Sequence, residues 1–423
     1  MALVGAPVTL WLVATRVAPA EQGTYFVLVN LVALALFLEV GPGTIVVQFA
    51  AHESHQLHWS ATGDLAGDVT ARSTIGAVLH RALRWYAAAA VVFFVVAAGG
   101  GLWLAIPADP RATLVPWWLA TTGLVTAYFL LVPFLNVSEG CGAILPVQRM
   151  RTVQAAGVLA GLWAGLLTGD ALAACGLAAF AQLAIAGGWL LLTRSGLVRA
   201  PRALPAGLAG KEPEAAASRL GTQLGRSAQF WVALYLAPQL LTPALLRLHG
   251  GSEAGQLGLT LALALAPLTI SVAWLHGRYP ACGAMVARNE LASFDRMARL
   301  AFAEATTVFI AGCAGVVLLL AIVTKAAPVV ALRLLPLPAL VALFVGAFAL
   351  LSLQAMAAWL RAFRHEALRT STVLACAAMS VGGITGAWSG GGVGAGMGFA
   401  AASLVALLPV TALFLVERRR LLG

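Results

Sequence analysis

Apolar residues in this chain fall into twelve runs separated by polar gaps. The runs are about Met1–Thr15, Thr24–Ala50, Leu83–Ile106, Thr113–Leu135, Thr152–Thr168, Ala171–Thr193, Gln229–Leu246, Ala254–Leu275, Ala301–Val323, Leu337–Leu360, Ser371–Trp388 and Gly394–Val416. Most approach or exceed the roughly 20 residues a helix needs to cross about 30 Å of hydrocarbon. A spanning sheet would have to close on itself and would show only weak alternation. The pattern therefore predicts an all-α polytopic membrane protein of about twelve transmembrane helices, arranged as two parallel six-helix bundles.

The polar gaps fall into two kinds. Of the 26 Lys and Arg residues, 21 sit in or at the edge of every second gap or in the C-terminal tail, and the other gaps hold only Arg16, Arg111, Arg247, Lys325 and Arg333. Cytoplasmic loops carry the Lys and Arg excess, so both termini are expected inside. At 61% hydrophobic, 10% charged and a mean hydropathy of +0.91, the chain is no ordinary soluble domain. Its net charge of +10 flanks the spans on one side. That is topology, and it argues against nucleic acid as a partner. The five cysteines form no CxxC pair and read as small buried hydrophobes, with no metal site or other cofactor implied. The first span has no basic leader and no small-residue cleavage motif, so it is not read as a signal peptide. Its shortness leaves a start upstream of Met1 open.

The longest polar stretch, Arg194–Arg226, is rich in Pro, Ala and charge. It reads as a cytoplasmic linker (194–226) between an N-terminal lobe (1–193) and a C-terminal lobe (227–423). A weak repeat links the lobes: Glu21-x-Gly23 and Glu253-x-Gly255 each stand at the outer mouth of a lobe's second helix. Six spans per lobe keep the orientation, which makes the repeat parallel. Within the first cytoplasmic connection, Ser73–Tyr86 sets Ile75, Val78, Leu79, Leu83 and Tyr86 near one face, as expected of an elbow lying on the membrane surface.

Several short stretches carry a resemblance. Ala18-Pro-Ala-Glu-Gln-Gly-Thr-Tyr, Leu38-Glu-Val-Gly-Pro-Gly, Gln48-Phe-Ala-Ala-His-Glu, Asn136-Val-Ser-Glu-Gly-Cys-Gly and Glu253-Ala-Gly-Gln-Leu-Gly-Leu-Thr are similar to stretches of the polysaccharide-biosynthesis flippases. That family belongs to the multidrug/oligosaccharidyl-lipid/polysaccharide exporter superfamily. The resemblance implies a central cavity lined largely by helices one, two, seven and eight. It also implies a lipid-linked oligosaccharide as the substrate, carried between leaflets of a bacterial cytoplasmic (inner) membrane, with membrane lipids, a glycan polymerase and glycosyltransferases as partners. Pro42 between two glycines departs from the family pattern.

Glu39 is the sharpest candidate for a transport role. It lies about 11 residues, or roughly 16 Å, from the cytoplasmic end of its span. A carboxylate at that depth costs about 2.5–3.5 kcal/mol on insertion scales. Gly41, Pro42 and Gly43 follow at once and predict a helix break beside the ionisable group, a common design for a transport site. The structural alternative is a protonated Glu39 hydrogen-bonded to a neighbouring helix. Arg226 is expected to open helix seven, with Gln229 on the same face, where an anion would meet both the cation and the helix N-terminus. An ordinary positive-inside flank is the alternative. Gln229, Gln239 and Gln354 are candidates to bind sugar hydroxyls or to join helices, and Gln48 is a further transport candidate. Glu139 and Glu304 sit near helix ends, where local pairing with Arg149 and Arg299 competes with a transport role. His52, His55 and His58 do not form HExxH and are not read as a metal site.

Three functions fit these features. The first is a flippase that needs no covalent chemistry and works by alternating access. A cation-coupled multidrug antiporter of the same superfamily is the second. An envelope-glycan enzyme such as a polymerase or acyltransferase is the third. Its outer gaps, about 3 to 13 residues, are short for a catalytic module, and no His lies within a span to act as a base.

Overall fold

The computed structural model describes residues 2–60, 63–109, 111–203, 211–363, 365 and 367–422. The protein is an all-α polytopic membrane protein. Its long helices are α1 (Ala2–Arg16), α2 (Pro19–Glu53), α3 (Val69–Ala105), α4 (Leu114–Gly140), α5 (Ile144–Leu167) and α6 (Ala171–Thr193). Then come α7 (Lys211–Gln239, resuming as Leu241–His249), α8 (Gly251–Ala287), α9 (Leu291–Ala326) and α10 (Leu337–Ala362). The last segment, Arg369–Leu422, holds α11 (369–389) and α12 (392–422), joined by non-helical backbone at Gly390 and Gly391. Among the described residues, nine segments are long and apolar enough to cross a membrane. Large side chains such as Leu192, Leu318, Trp388 and Leu408 point outward, as a lipid-facing surface allows.

Contacts divide the chain into two compact units. One comprises residues 1–17 and 27–232, the other residues 18–26 and 233–423. The stretch expected as a linker, 194–226, is helical at Ser195–Ala203 and again from Lys211.

In the first unit, Ser73–Tyr86 is not a separate surface elbow. It is the leading part of α3, and Ile75, Val78, Leu79 and Tyr86 are buried in protein. Hydropathy showed the apolar face but could not distinguish a membrane surface from neighbouring helices as its cover. Asp68 caps α3 by accepting the Ala71 N–H at 2.9 Å. Further along, α3 loosens into a π-helical turn at Val95–Gly100, and the buried Trp118 indole donates to the Ala97 carbonyl at 2.8 Å. The connection after α2 forms a two-stranded antiparallel hairpin, β1 (Leu57–Trp59) with β2 (Leu65–Gly67). Trp59 fastens it by donating to the Cys141 carbonyl at 2.9 Å and by lying under the Arg194 guanidinium at 4.0 Å. Burial lowers the Arg194 pKa from its ordinary value.

The second unit relies on glycine for close packing. In α11 and α12, Gly382 faces Gly398 and Gly386 faces Gly394 so tightly that a methyl on any of the four would collide with the opposing backbone. Gly391 turns the chain with φ +58, and the Gly392 N–H donates to the Glu253 carboxylate at 3.3 Å. The start of α2 belongs to this unit. A methyl at Gly23 would strike Gly251, and one at Gly255 would lie 2.9 Å from Gln22 Cβ. The two repeat motifs thus pack against each other. Gln22 donates to the Gly255 carbonyl at 3.3 Å and accepts from Arg333 at 3.3 Å.

Candidate functional site

A polar cluster occupies the first unit, and five helices build it. From α2 comes Glu39, half-buried, and α3 supplies Tyr86, fully buried. Tyr128, Asn136 and Glu139 stand along α4, while Gln148, Arg151 and Gln154 recur every third residue along one side of α5. The last contributor is Gln182 on α6.

Hydrogen bonds tie the cluster together. The Asn136 amide, 2% exposed, donates to the Tyr86 hydroxyl at 3.5 Å, and the Tyr86 ring packs on Phe129 with centroids 4.9 Å apart. Tyr128 lies in hydrogen-bonding reach of the Gln154 and Gln182 side chains, and Gln154 donates to the Gln182 carbonyl at 2.9 Å. Glu39 sits within electrostatic reach of Tyr86, Tyr128, Arg151 and Glu139. At one end of the cluster Glu139 pairs with Arg151 at 3.2 Å and accepts from Gln148 at 3.0 Å. The result is three small polar groups, Tyr86 with Asn136, Tyr128 with Gln154 and Gln182, and Glu139 with Arg151 and Gln148, in the electrostatic surroundings of a carboxyl in mid-helix. A carboxyl in such surroundings can take up and release a proton, or a small monovalent cation, at Glu39. Among the described residues, no group of three or more His, Cys, Asp or Glu side chains is placed to hold a metal ion.

The structure alters several expectations. Gly41, Pro42 and Gly43 do not break α2, which runs unbroken from Pro19 to Glu53. One proline removes one backbone donor, and the helix continues through it. Gly43 instead serves packing, since a methyl there would meet the Asn136 amide at 3.0 Å. In α7 the helix is marked by Pro238 and Pro243 around Leu240, but Leu240 keeps helical backbone and donates to the Leu236 carbonyl at 3.0 Å; Gln239 beside it is half-buried. Arg226 does not open its helix, because the chain is already helical at Lys211, so the helix-terminus argument for an anion at Arg226 fails. Hydropathy could not place this start, since the first turns of α7 are polar. Arg226, Gln229 and Gln48 are exposed. Glu139 pairs with Arg151 where Arg149 was expected, and Glu304 pairs with Arg278 at 2.9 Å where Arg299 was expected. Tyr86, Tyr128, Asn136 and Gln154 were missed as site residues. A count of amides and phenols in and beside the spans picks out each of them singly, but does not show that they meet.

No protein-family model and no curated protein matches the chain. Solved structures do match in shape. An inward-facing multidrug resistance MATE family transporter of the MOP superfamily aligns with TM-score 0.61 and 11% identity over 98% of both chains. The lipid II flippase MurJ, in an inward closed conformation, aligns with TM-score 0.61 and 8% identity over 98% of this chain and 87% of its own. A MOP superfamily transporter from Pyrococcus furiosus aligns with TM-score 0.58 and 13% identity over 100% of this chain and 94% of its own. At these identities the likeness is one of fold, and this polytopic chain has the fold of MOP superfamily transporters.

Proposed function

We propose that the protein is a secondary transporter that works by alternating access and carries a lipid-linked oligosaccharide, of the undecaprenyl-pyrophosphate type, across a bacterial cytoplasmic membrane for polysaccharide or O-antigen synthesis. Both termini face the cytoplasm. The observation that carries the transporter reading is the Glu39 cluster: an ionisable group half-buried at mid-helix, backed by Tyr86, Tyr128 and Asn136. A polar set that costly to bury supports an ion- or proton-handling role over a scaffold. The substrate class is supported by the resemblance of the Leu38–Gly43 and Asn136–Gly142 stretches to polysaccharide flippases, and by the fold shared with a lipid II flippase.

In this mechanism the headgroup crosses through the protein while the lipid tail stays in the bilayer, and the cycle is driven by loading and release of a proton or cation at Glu39. Arg226, exposed with Gln229 one turn away, is assigned to meet the diphosphate. A second reading, a cation-coupled multidrug antiporter, is favoured by the same cluster and by the fold shared with MATE transporters. Reconstituted vesicles separate the two. The flippase reading predicts that a fluorescent pyrophosphoryl-lipid oligosaccharide becomes accessible to an impermeant quencher on the far face. Export of a cationic dye against a proton gradient, with no lipid movement, would replace it with the antiporter.

A further inference from the structure

Two cavities adjoin in the second unit, where α8, α9, α10 and α12 come together. One, of about 590 Å³, is lined by His276, Tyr279, Arg361 and small residues of α8 and α10. The other, of about 430 Å³, is walled by Phe302, Phe348, Met356, Leu407 and Phe414, with Asp295, Arg299 and Arg418 at its polar end. Tyr279 and Ala358 line both, so a polar chamber opens beside an apolar one. The Tyr279 side chain forms part of the wall between the two chambers, and its buried hydroxyl has no hydrogen-bond partner among the described residues. Both volumes fall in the range of small-molecule sites. None of these residues belongs to the Glu39 cluster, and the inference does not depend on the transported substrate.

We propose that this pair of cavities is a binding site for an anionic glycerophospholipid from the leaflet on the cation-rich side of the membrane. One acyl chain would lie between Phe348, Met356 and Phe414, and the phosphate would lie by Tyr279 and Arg361. Charge selects the headgroup: among the described residues, the two chambers are lined by Arg299, Arg361 and Arg418 and by the carboxylate of Asp295. Basic pockets between transmembrane helices are suited to anionic headgroups, and a largely apolar chamber takes a hydrocarbon chain without stranding polar groups.

The test uses the intact protein in nanodiscs with phosphatidylglycerol bearing a diazirine near the end of one acyl chain. After photolysis, mass spectrometry should place the label within 348–359 and 407–415. Unlabelled phosphatidylglycerol should compete at least tenfold better than phosphatidylcholine, and inorganic phosphate should not compete. Ala355→Phe, which fills the apolar chamber, should cut labelling about tenfold, and Arg361→Gln should erase the preference for the anionic lipid. The lipid competition needs no variant, so it stands if Ala355→Phe fails to fold. Label confined to outward-facing positions such as Leu318 and Leu404, equal competition by phosphatidylcholine, or displacement by inorganic phosphate would each overturn the proposal.

Discussion

Replacing Arg418 with methionine removes one half of the most closely joined ion pair in the second unit. The guanidinium donates twice to Asp295, at 2.9 and 2.6 Å, and fastens the end of α12 to the start of α9. The Asp295 side chain is 8% exposed and that of Arg418 29%. Removing one partner of a fully buried pair costs about 3–5 kcal/mol, whereas exposed pairs couple by about 0.2–1 kcal/mol. Two features place this pair between those limits. Arg418 is partly wet, and Arg299, at 3.2 Å with its side chain 70% exposed, remains as a second cation for Asp295. A charge-assisted hydrogen bond contributes about 1.5–3 kcal/mol, so the coupling between Asp295 and Arg418 should be about 2 kcal/mol. The assay is a double-mutant cycle of Arg418→Met, Asp295→Asn and the combined variant, unfolded in mixed micelles. A thiol-reactive dye reports exposure of the buried Cys282 and Cys376. Arg418→Met alone should destabilise more than the double variant, because it leaves a buried carboxylate with one exposed partner. A coupling below about 0.5 kcal/mol would mean the pair behaves as a surface contact, and the burial argument would fail.

Three other outcomes are expected. Gly386→Leu should sharply lower the yield of folded protein, because its side chain meets the Gly394 backbone and overpacking costs about 1–3 kcal/mol, whereas Gly390→Ala, with open space around it, should be tolerated; equal folded yields by size-exclusion would refute the glycine contact. Reporter fusions at Gly210 and after Gly423 should show cytoplasmic activity, and periplasmic activity at either would overturn the cation-based orientation. Arg226→Lys should transport partially and Arg226→Ala less; unimpaired transport by Arg226→Ala with intact topology would remove Arg226 from the substrate path.

Hydropathy reads where a chain meets hydrocarbon, and that decides what was legible here. The run at Ala171–Thr193 coincides with α6, because the charged residues that bound the run, Asp170 and Arg194, are also the caps of the helix. The run at Ala254–Leu275 captures only part of α8, Gly251–Ala287, since the helix continues past its apolar window and its polar turns carry no hydropathic signal. The same limit explains Arg226, expected at a helix start although the chain is already helical at Lys211. Glu39 was legible because a carboxylate in an apolar run is costly wherever the other helices go. Its companions were not, because the Tyr86–Asn136 contact joins residues 50 positions apart and depends on how α3 and α4 pack. Gly43 was read as a hinge for its flexibility, but the structure uses it for its lack of a side chain.

The central claim is that Glu39 drives transport without being needed for folding, and one measurement tests it most directly. Glu39→Gln keeps the shape and most of the hydrogen bonding while abolishing the charge and the titration. Purified wild type and variant are reconstituted at equal density, and flipping of the pyrophosphoryl-lipid oligosaccharide is followed under an imposed proton or sodium gradient. The account predicts normal folded yield, a loss of gradient-driven flipping of more than tenfold, and no response to pH in what remains. Gradient-driven flipping by Glu39→Gln at the wild-type rate would contradict it and leave the cluster a structural one.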